Sequence, residues 1–235
     1  MKNFLSLTVF AALFLGLGAL VLLAAPRDSM NLIPGSAPNT LNEVEAAENT
    51  TGFTWVAIPL NVFSSGSMAS DLAAHVEANN NNNSITVKSV SEWNPSGQSL
   101  TTYSHEFGFG DFSISNQRPY RVETTGGESV VWTQVGDVPD IGSYSFELLE
   151  TASTDFNWIM YPLDRNDGLA SDIANDIEAN ASGEVIILSV SEWNASGQTL
   201  TTYSHEFGFG DFAIRPGYPY RVEVDVVNGS SVIWP

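Results

Sequence analysis

His105, Glu106 and Asp111 share one short stretch of this chain, and His205, Glu206 and Asp211 repeat the pattern. Imidazole and carboxylate groups bind divalent cations, so three of them converging across a bend would form a duplicated metal site. Adjacent strand residues point to opposite faces, however. The same residues therefore also fit a polar hairpin face with aspartate capping a glycine turn, and no metal is assigned. Ser104 beside His105 raises a hydrolase reading. That chemistry needs nucleophile and base to meet in space, with an orienting acid and oxyanion donors. Neighbours on a strand diverge, and the G-x-S-x-G elbow is absent. No catalytic residue or cofactor site is expected. The chain contains no cysteine, which removes thiol catalysis, disulfides and thiolate zinc sites together.

The other concentrated chemistry is aromatic. Trp93, Tyr103, Phe107, Phe109 and Phe112 recur as Trp193, Tyr203, Phe207, Phe209 and Phe212. Flat rings on a β-surface stack on sugars, and large apolar groups also build the core of a small domain. Trp93 and Trp193 end apolar alternating strands just before a turn, so they are expected in the core. Phe107, Phe109, Phe112, Phe207, Phe209 and Phe212 are the candidate contact residues.

An internal repeat positions these groups. SVSEWN occurs at 89–94 and 189–194, SGQSLTTYSHEFGFGDF at 96–112 returns with one change at 196–212, and PYRVE at 119–123 returns at 219–223. Trp55 matches Trp158, Ser70-Asp71 matches Ser171-Asp172, and Trp132 matches Trp234. TWVAIPL and NWIMYPL read as strands. Met68, Leu72 and Val76 after Ser67, and Leu169, Ile173 and Ile177 after Asp167, predict a short helix in each copy, with Ser67 and Asp167 as N-caps. ITVKSVSEW and VIILSVSEW are strands that turn at Asn-x-Ser-Gly and pair back with SLTTYSHEF. PYRVE and SVVW or SVIW supply the last strands. The expected fold class is mostly β (α+β): two tandem compact antiparallel β domains, each with one short helix.

Boundaries follow from composition. Lys2 precedes an apolar run from Phe4 to Ala25, so residues 1–25 form either a cleaved signal peptide or a retained membrane anchor. Residues 26–50, rich in Pro, Asn and Glu, are an expected flexible tether. Repeat one spans 51–136 and repeat two 153–235. The segment 137–152 between them contains a strand, since Tyr144, Phe146 and Leu148 alternate. With 27 acidic against 8 basic residues, net charge −19, the surface repels nucleic-acid phosphates.

The order W-x-x-x-P-L, S-D-[LI]-A, V-S-x-W-[ND]-x-x-x-Q, P-Y-x-V and a closing Trp resembles a tandem β-rich repeat module of exported bacterial and archaeal cell-surface proteins. The likeness covers most of 51–235. It implies an extracellular or cell-surface module and carries no catalytic residues with it. The expected function is a non-catalytic exported surface module in adhesion, envelope structure or array building. The alternative is a carbohydrate-binding module using the aromatic-rich loop. A surface glycan or an envelope protein is the expected partner, nucleic acid is excluded, and membrane contact is confined to the N-terminal segment.

Overall fold

The computed structural model describes residues 43–45, 52–81, 85–126, 129–140, 142–150, 155–181, 185–226 and 231–234. The expected signal or anchor, and the tether apart from 43–45, lie outside the described residues. The fold is mostly β, with antiparallel sheets and two helices.

Repeat one runs β1 (Glu43–Glu45), β2 (Gly52–Ala57), α1 (Ala69–Ala78), β3 (Thr86–Asn94), β4 (Ser99–Ser104), β5 (Pro119–Thr125) and β6 (Ser129–Val131). Repeat two runs β7 (Phe146–Leu149), β8 (Phe156–Met160), β9 (Gly168–Leu169), α2 (Ala170–Asn180), β10 (Val185–Asn194), β11 (Thr199–Ser204), β12 (Ala213–Ile214), β13 (Pro219–Val226) and β14 (Ser231–Trp234). The main sheets have the same order, β2-β5-β3-β4 and β8-β13-β10-β11. Strands β2 and β3 run parallel on either side of β5, with α1 between them in sequence, a split β-α-β arrangement. The inter-repeat strand β7 pairs with β14, and β1 pairs with β6 in the same way. Thus β7 opens the second copy, and its counterpart in the first falls inside the segment expected to be a tether.

Alternation accounts for the core. Tyr120, Val122 and Thr124 on β5 point to one face, with Val87 and Val90 from β3, and are buried. Helix α1 covers that face with Ala69, Leu72, Ala73 and Val76; α2 does the same with Ala170, Ile173, Ala174 and Ile177. The helix starts differ from the expectation. Met68 and Leu169, read as the first apolar positions, are themselves the N-caps, and Ser67 and Asp167 do not cap. Asp71 instead reaches back to accept the Met68 N–H at 2.8 Å, and Asp172 accepts that of Leu169 at 2.7 Å. A carboxylate in the first turn also complements the helix dipole.

The buried closing tryptophans find different acceptors. Trp132 donates its indole N–H to His75 Nδ1 at 3.0 Å, and Trp234 donates to Asp176 at 3.0 Å. Burial pulls the His75 pKa below its ordinary value of 6.5, which keeps the ring neutral and able to accept.

The opposite sheet faces carry a seam between the repeats, built from equivalent residues. Trp55 stacks on Trp158, its own counterpart, with ring centroids 3.7 Å apart. The Gln198 carboxamide takes both main-chain groups of Phe53: Phe53 N–H donates to Oε1 at 3.2 Å, and Nε2 donates to Phe53 O at 2.9 Å. Gln98 treats Phe156 identically, at 3.1 Å and 3.1 Å. Trp193 donates its indole N–H to Phe53 O at 2.9 Å, and Trp93 to Phe156 O at 2.8 Å. Arg121 lies over the Phe53 ring and Arg221 over that of Phe156. Trp93 and Trp193 are therefore half-buried seam residues rather than members of either repeat's core. Their position at the hairpin end, which suggested core, lets them reach across the seam. Each repeat keeps its own buried cluster, although Ala57 and Leu60 of the first join that of the second.

Cleavage between 140 and 143, where Asp140 and Gly142 are exposed, should leave two fragments that co-elute under native conditions and part only in denaturant. Fragments that separate without denaturant would contradict the seam. The His75 contact sets an acid limit. A histidine with a lowered folded pKa contributes stability above its unfolded pKa and loses it as pH falls through 6.5 towards the folded value. Thermal melts below pH 6.5 should show this loss in the wild type and a smaller one in His75→Asn. Equal pH slopes would contradict the assignment.

Candidate functional site

The stretch shared by both copies forms a tight tip beyond β4 and another beyond β11. The strand ends at Ser104, so His105 and Glu106 lie in a turn rather than on the expected continuation of the strand. The turn closes through Gly108 N–H to Ser104 O at 2.8 Å and Ser104 N–H to Phe109 O at 3.0 Å. Gly108 has φ +67 and Gly110 φ +79, a region that favours glycine. Gly110 is further constrained by space, because a Cβ there would lie 2.6 Å from Thr102 O.

The polar groups of the tip are spent on holding it. His105 donates its main-chain N–H to Lys88 O at 2.9 Å, at the bulge between Val87 and Ser89. Its Nε2 is 3.6 Å from Glu77 Oε2, and its Nδ1 lies 3.3 Å from Tyr103 OH. Glu77 Oε1 meanwhile accepts the Val87 N–H at 2.8 Å. One glutamate at the helix end thus ties together helix, bulge and tip. His205 and Glu178 repeat the arrangement at 3.5 Å. Glu106 pairs with Lys88 at 3.1 Å. Its counterpart Glu206 has no such partner available, because Leu188 occupies the lysine position. Asp111 leaves the tip altogether and clamps the start of α1, accepting from Ser70 N at 3.0 Å and Ser70 Oγ at 2.7 Å. Asp211 clamps Ser171 at 3.1 Å and 2.7 Å.

His105 and Asp111 therefore reach opposite ends of α1, at Glu77 and Ser70, while Glu106 turns to Lys88; His205 and Asp211 reach Glu178 and Ser171 on α2 in the same way. Among the described residues no group of three His, Asp or Glu side chains is arranged to hold a metal ion. Ser104 is likewise part of the turn's own hydrogen bonding.

The six candidate phenylalanines divide in two. Phe112 and Phe212 are half-buried, packed on the cores, with centroids 6.4 Å from Tyr120 and Tyr220. These two anchor the tip on the cores and present less of the ring to solvent than the other four. Phe107 is 71% exposed and Phe109 63%; Phe207 is 69% and Phe209 62%. Within each tip the two rings lie nearly parallel, 6.2 Å apart in one copy and 6.3 Å in the other. A large apolar side chain left in water gives up most of the stabilisation its burial would bring, and here that happens four times.

Sequence reasoning missed a second feature. A cleft of about 270 Å³ opens at the seam, lined by Trp55 of repeat one and by Glu192, Trp193, Asn194, Arg215 and Tyr218 of repeat two, among others. Arg215 lies over the Tyr218 ring at 4.0 Å and 3.9 Å from Glu192. Burial raises the Glu192 pKa, and Arg215 opposes that. The roles of Gln98 and Gln198 were missed too. Their backbone signal is a φ of +44 and +48, unusual for glutamine.

Substitutions should separate the two parts of the tip. Asp111→Ala removes a helix clamp and should cost about 1 kcal/mol, and Gly110→Ala should cost more. Phe107→Ser and Phe109→Ser should melt within about 0.5 kcal/mol of wild type, as exposed substitutions do. Chemical denaturation of the four variants checks this; loss of folding in the Phe variants would return those rings to the core. Comparison with known proteins names neither tip nor cleft, because no family model, curated protein or solved structure matches the chain.

Proposed function

We propose that the chain is a non-catalytic, exported surface module that makes two-point contact with an envelope protein through its phenylalanine tips. The exposure of Phe107, Phe109, Phe207 and Phe209 carries this reading. The other residues of each tip have visible structural roles. Gly110 clears the Thr102 carbonyl, Asp111 clamps the helix, Phe112 packs on the core, and His105 ties turn to helix. The two exposed rings have no such role. A protein partner is favoured over a glycan at this spot. Phenylalanine has no polar edge to orient hydroxyl groups, and the neighbouring His105, Asp111, His205 and Asp211 are already engaged with the helices. Two tips on one chain raise affinity for a repeated target by avidity.

Export is supported by the apolar run at 4–25 that follows Lys2. The glycan-binding alternative finds support at the seam cleft instead, where Trp55, Trp193 and Tyr218 stand beside Glu192, Asn194 and Arg215.

The double substitution Phe109→Ser with Phe209→Ser tests the tip reading in a cell-surface retention assay. Binding should fall by roughly 10²- to 10⁴-fold, the scale of lost avidity, while circular dichroism stays native. A folded variant that is retained like wild type would remove the tips from the functional account. Loss of sugar-array binding on Trp193→Ala, with the tips irrelevant, would favour the glycan alternative.

A further inference from the structure

Each main sheet has two edges, and the protein treats them oppositely. One edge is β2, where the Gln198 carboxamide occupies the outward N–H and C=O of Phe53; the matching edge on β8 is closed by Gln98 at Phe156. A side-chain amide carries one donor and one acceptor, so it stands in for a neighbouring strand at that point. The other edges are β4 and β11. Ser104 N–H turns outward to Phe109 O. Alternate residues of a strand send both main-chain groups the same way, so Thr102 and Leu100 also face outward. Gly110 lies against the Thr102 carbonyl. The Leu100 N–H, the Leu100 C=O and the Thr102 N–H remain, with no other main-chain partner among the described residues. Leu200 and Thr202 repeat this arrangement.

Exposed edges are usually blunted by lysine, proline, a bulge or an inward charge. The strands Ser-Leu-Thr-Thr-Tyr-Ser and Thr-Leu-Thr-Thr-Tyr-Ser contain no charge and no proline, and β4 pairs with β3 without a register break. Ser99 to Thr102 are exposed, with Leu100 at 36%. The edge is also continuous with the seam, because Gln98, which closes the β8 edge, immediately precedes Ser99.

We infer that the outer edges of β4 and β11 are strand-addition sites for a second copy of this chain, so that copies join edge to edge into open-ended rows. The occupant is a second copy because both edges carry Leu-Thr-Thr-Tyr-Ser. Two antiparallel copies centred on Leu100, or on Leu200, exchange the free N–H and C=O of that residue reciprocally about a two-fold axis. A chain with two such edges does not stop at a dimer. The net charge of −19 opposes the approach of copies, so association strengthens as salt screens it. This inference stands apart from the tip reading, since a tip can bind its partner whether or not an edge is paired.

Sedimentation of the purified full chain, over a wide concentration range at low and physiological salt, tests it. Wild type should extend past dimer as concentration and salt rise. Leu100→Pro, which removes an N–H unbonded within the chain, should stop at dimer through the remaining β11 edge. Leu100→Pro with Leu200→Pro should stay monomeric. Leu100→Lys with Leu200→Lys serves if the prolines disturb folding by circular dichroism. All variants keep the apolar N-terminal run, so association through that segment would persist in them and overturn the inference. A wild type that stays monomeric throughout would overturn it as well. Assembly abolished by Phe109→Ser with Phe209→Ser but not by the edge variants would overturn it and leave the tip reading standing.

Discussion

A glutamine carboxamide laid along the edge of a foreign sheet holds the molecule together. Phe53 and Gln198 are 145 positions apart, yet they exchange two hydrogen bonds, and Phe156 and Gln98 do the same. An unpaired main-chain N–H and C=O at a half-buried seam would carry a desolvation penalty. The amide satisfies both groups at once, and the adjacent tryptophan adds a second donor to the same carbonyl. Arg121 and Arg221 finish the arrangement with their guanidinium carbons 3.9 Å and 4.1 Å from the phenylalanine ring centroids, and Nε of each finds no hydrogen-bond partner among the described residues. Burial lowers the pKa of both, and Glu123 and Glu223 oppose the shift.

From that contact the near-identity of residues 96–112 and 196–212 becomes intelligible in parts. The Ser-Gly-Gln turn is kept because Gln98 must reach Phe156 from a left-handed backbone position. Asn94 braces that turn, accepting from Ser96 Oγ and Gly97 N. Gly110, Asp111 and Phe112 are kept because they seat the tip on strand, helix and core. Where the copies differ, the partner differs with them: Trp132 uses His75 while Trp234 uses Asp176, and Lys88 pairs with Glu106 where Leu188 does not. Phe107 and Phe109 fit neither category. They are identical in both copies and touch no core, which directs attention to an outside partner.

Much of this was legible in the sequence. The repeat, the helices and the hairpin between β3 and β4 follow from local signals, whereas core and surface positions of the Phe-Gly-Phe-Gly stretch do not. Those signals are periodicity, turn residues and glycine spacing. The seam is not local. Nothing near Trp93 distinguishes a ring that packs beneath its own sheet from one that reaches across to Phe156. Gln98 likewise resembles an ordinary turn residue until its φ of +44 is known. Strand β1 escaped for a related reason. Its segment, Glu-Val-Glu, lacks the apolar alternation of its partner-strand counterpart β7, and only its pairing with Ser129–Val131 marks it as a strand. The helix caps were misplaced because the capping carboxylates reach back from Asp71 and across from Asp111 rather than sitting in front of the helix.

Each main sheet has one edge closed by glutamine, at Phe53 or Phe156, and one left open, at Leu100 or Leu200. Amide hydrogen exchange of these four residues tests this difference most directly. Phe53 and Phe156 should be strongly protected although both lie on edge strands, and Leu100 and Leu200 should exchange rapidly in dilute, monomeric protein. Fast exchange at Phe53 and Phe156, or protection at Leu100 and Leu200 equal to theirs, would contradict the account.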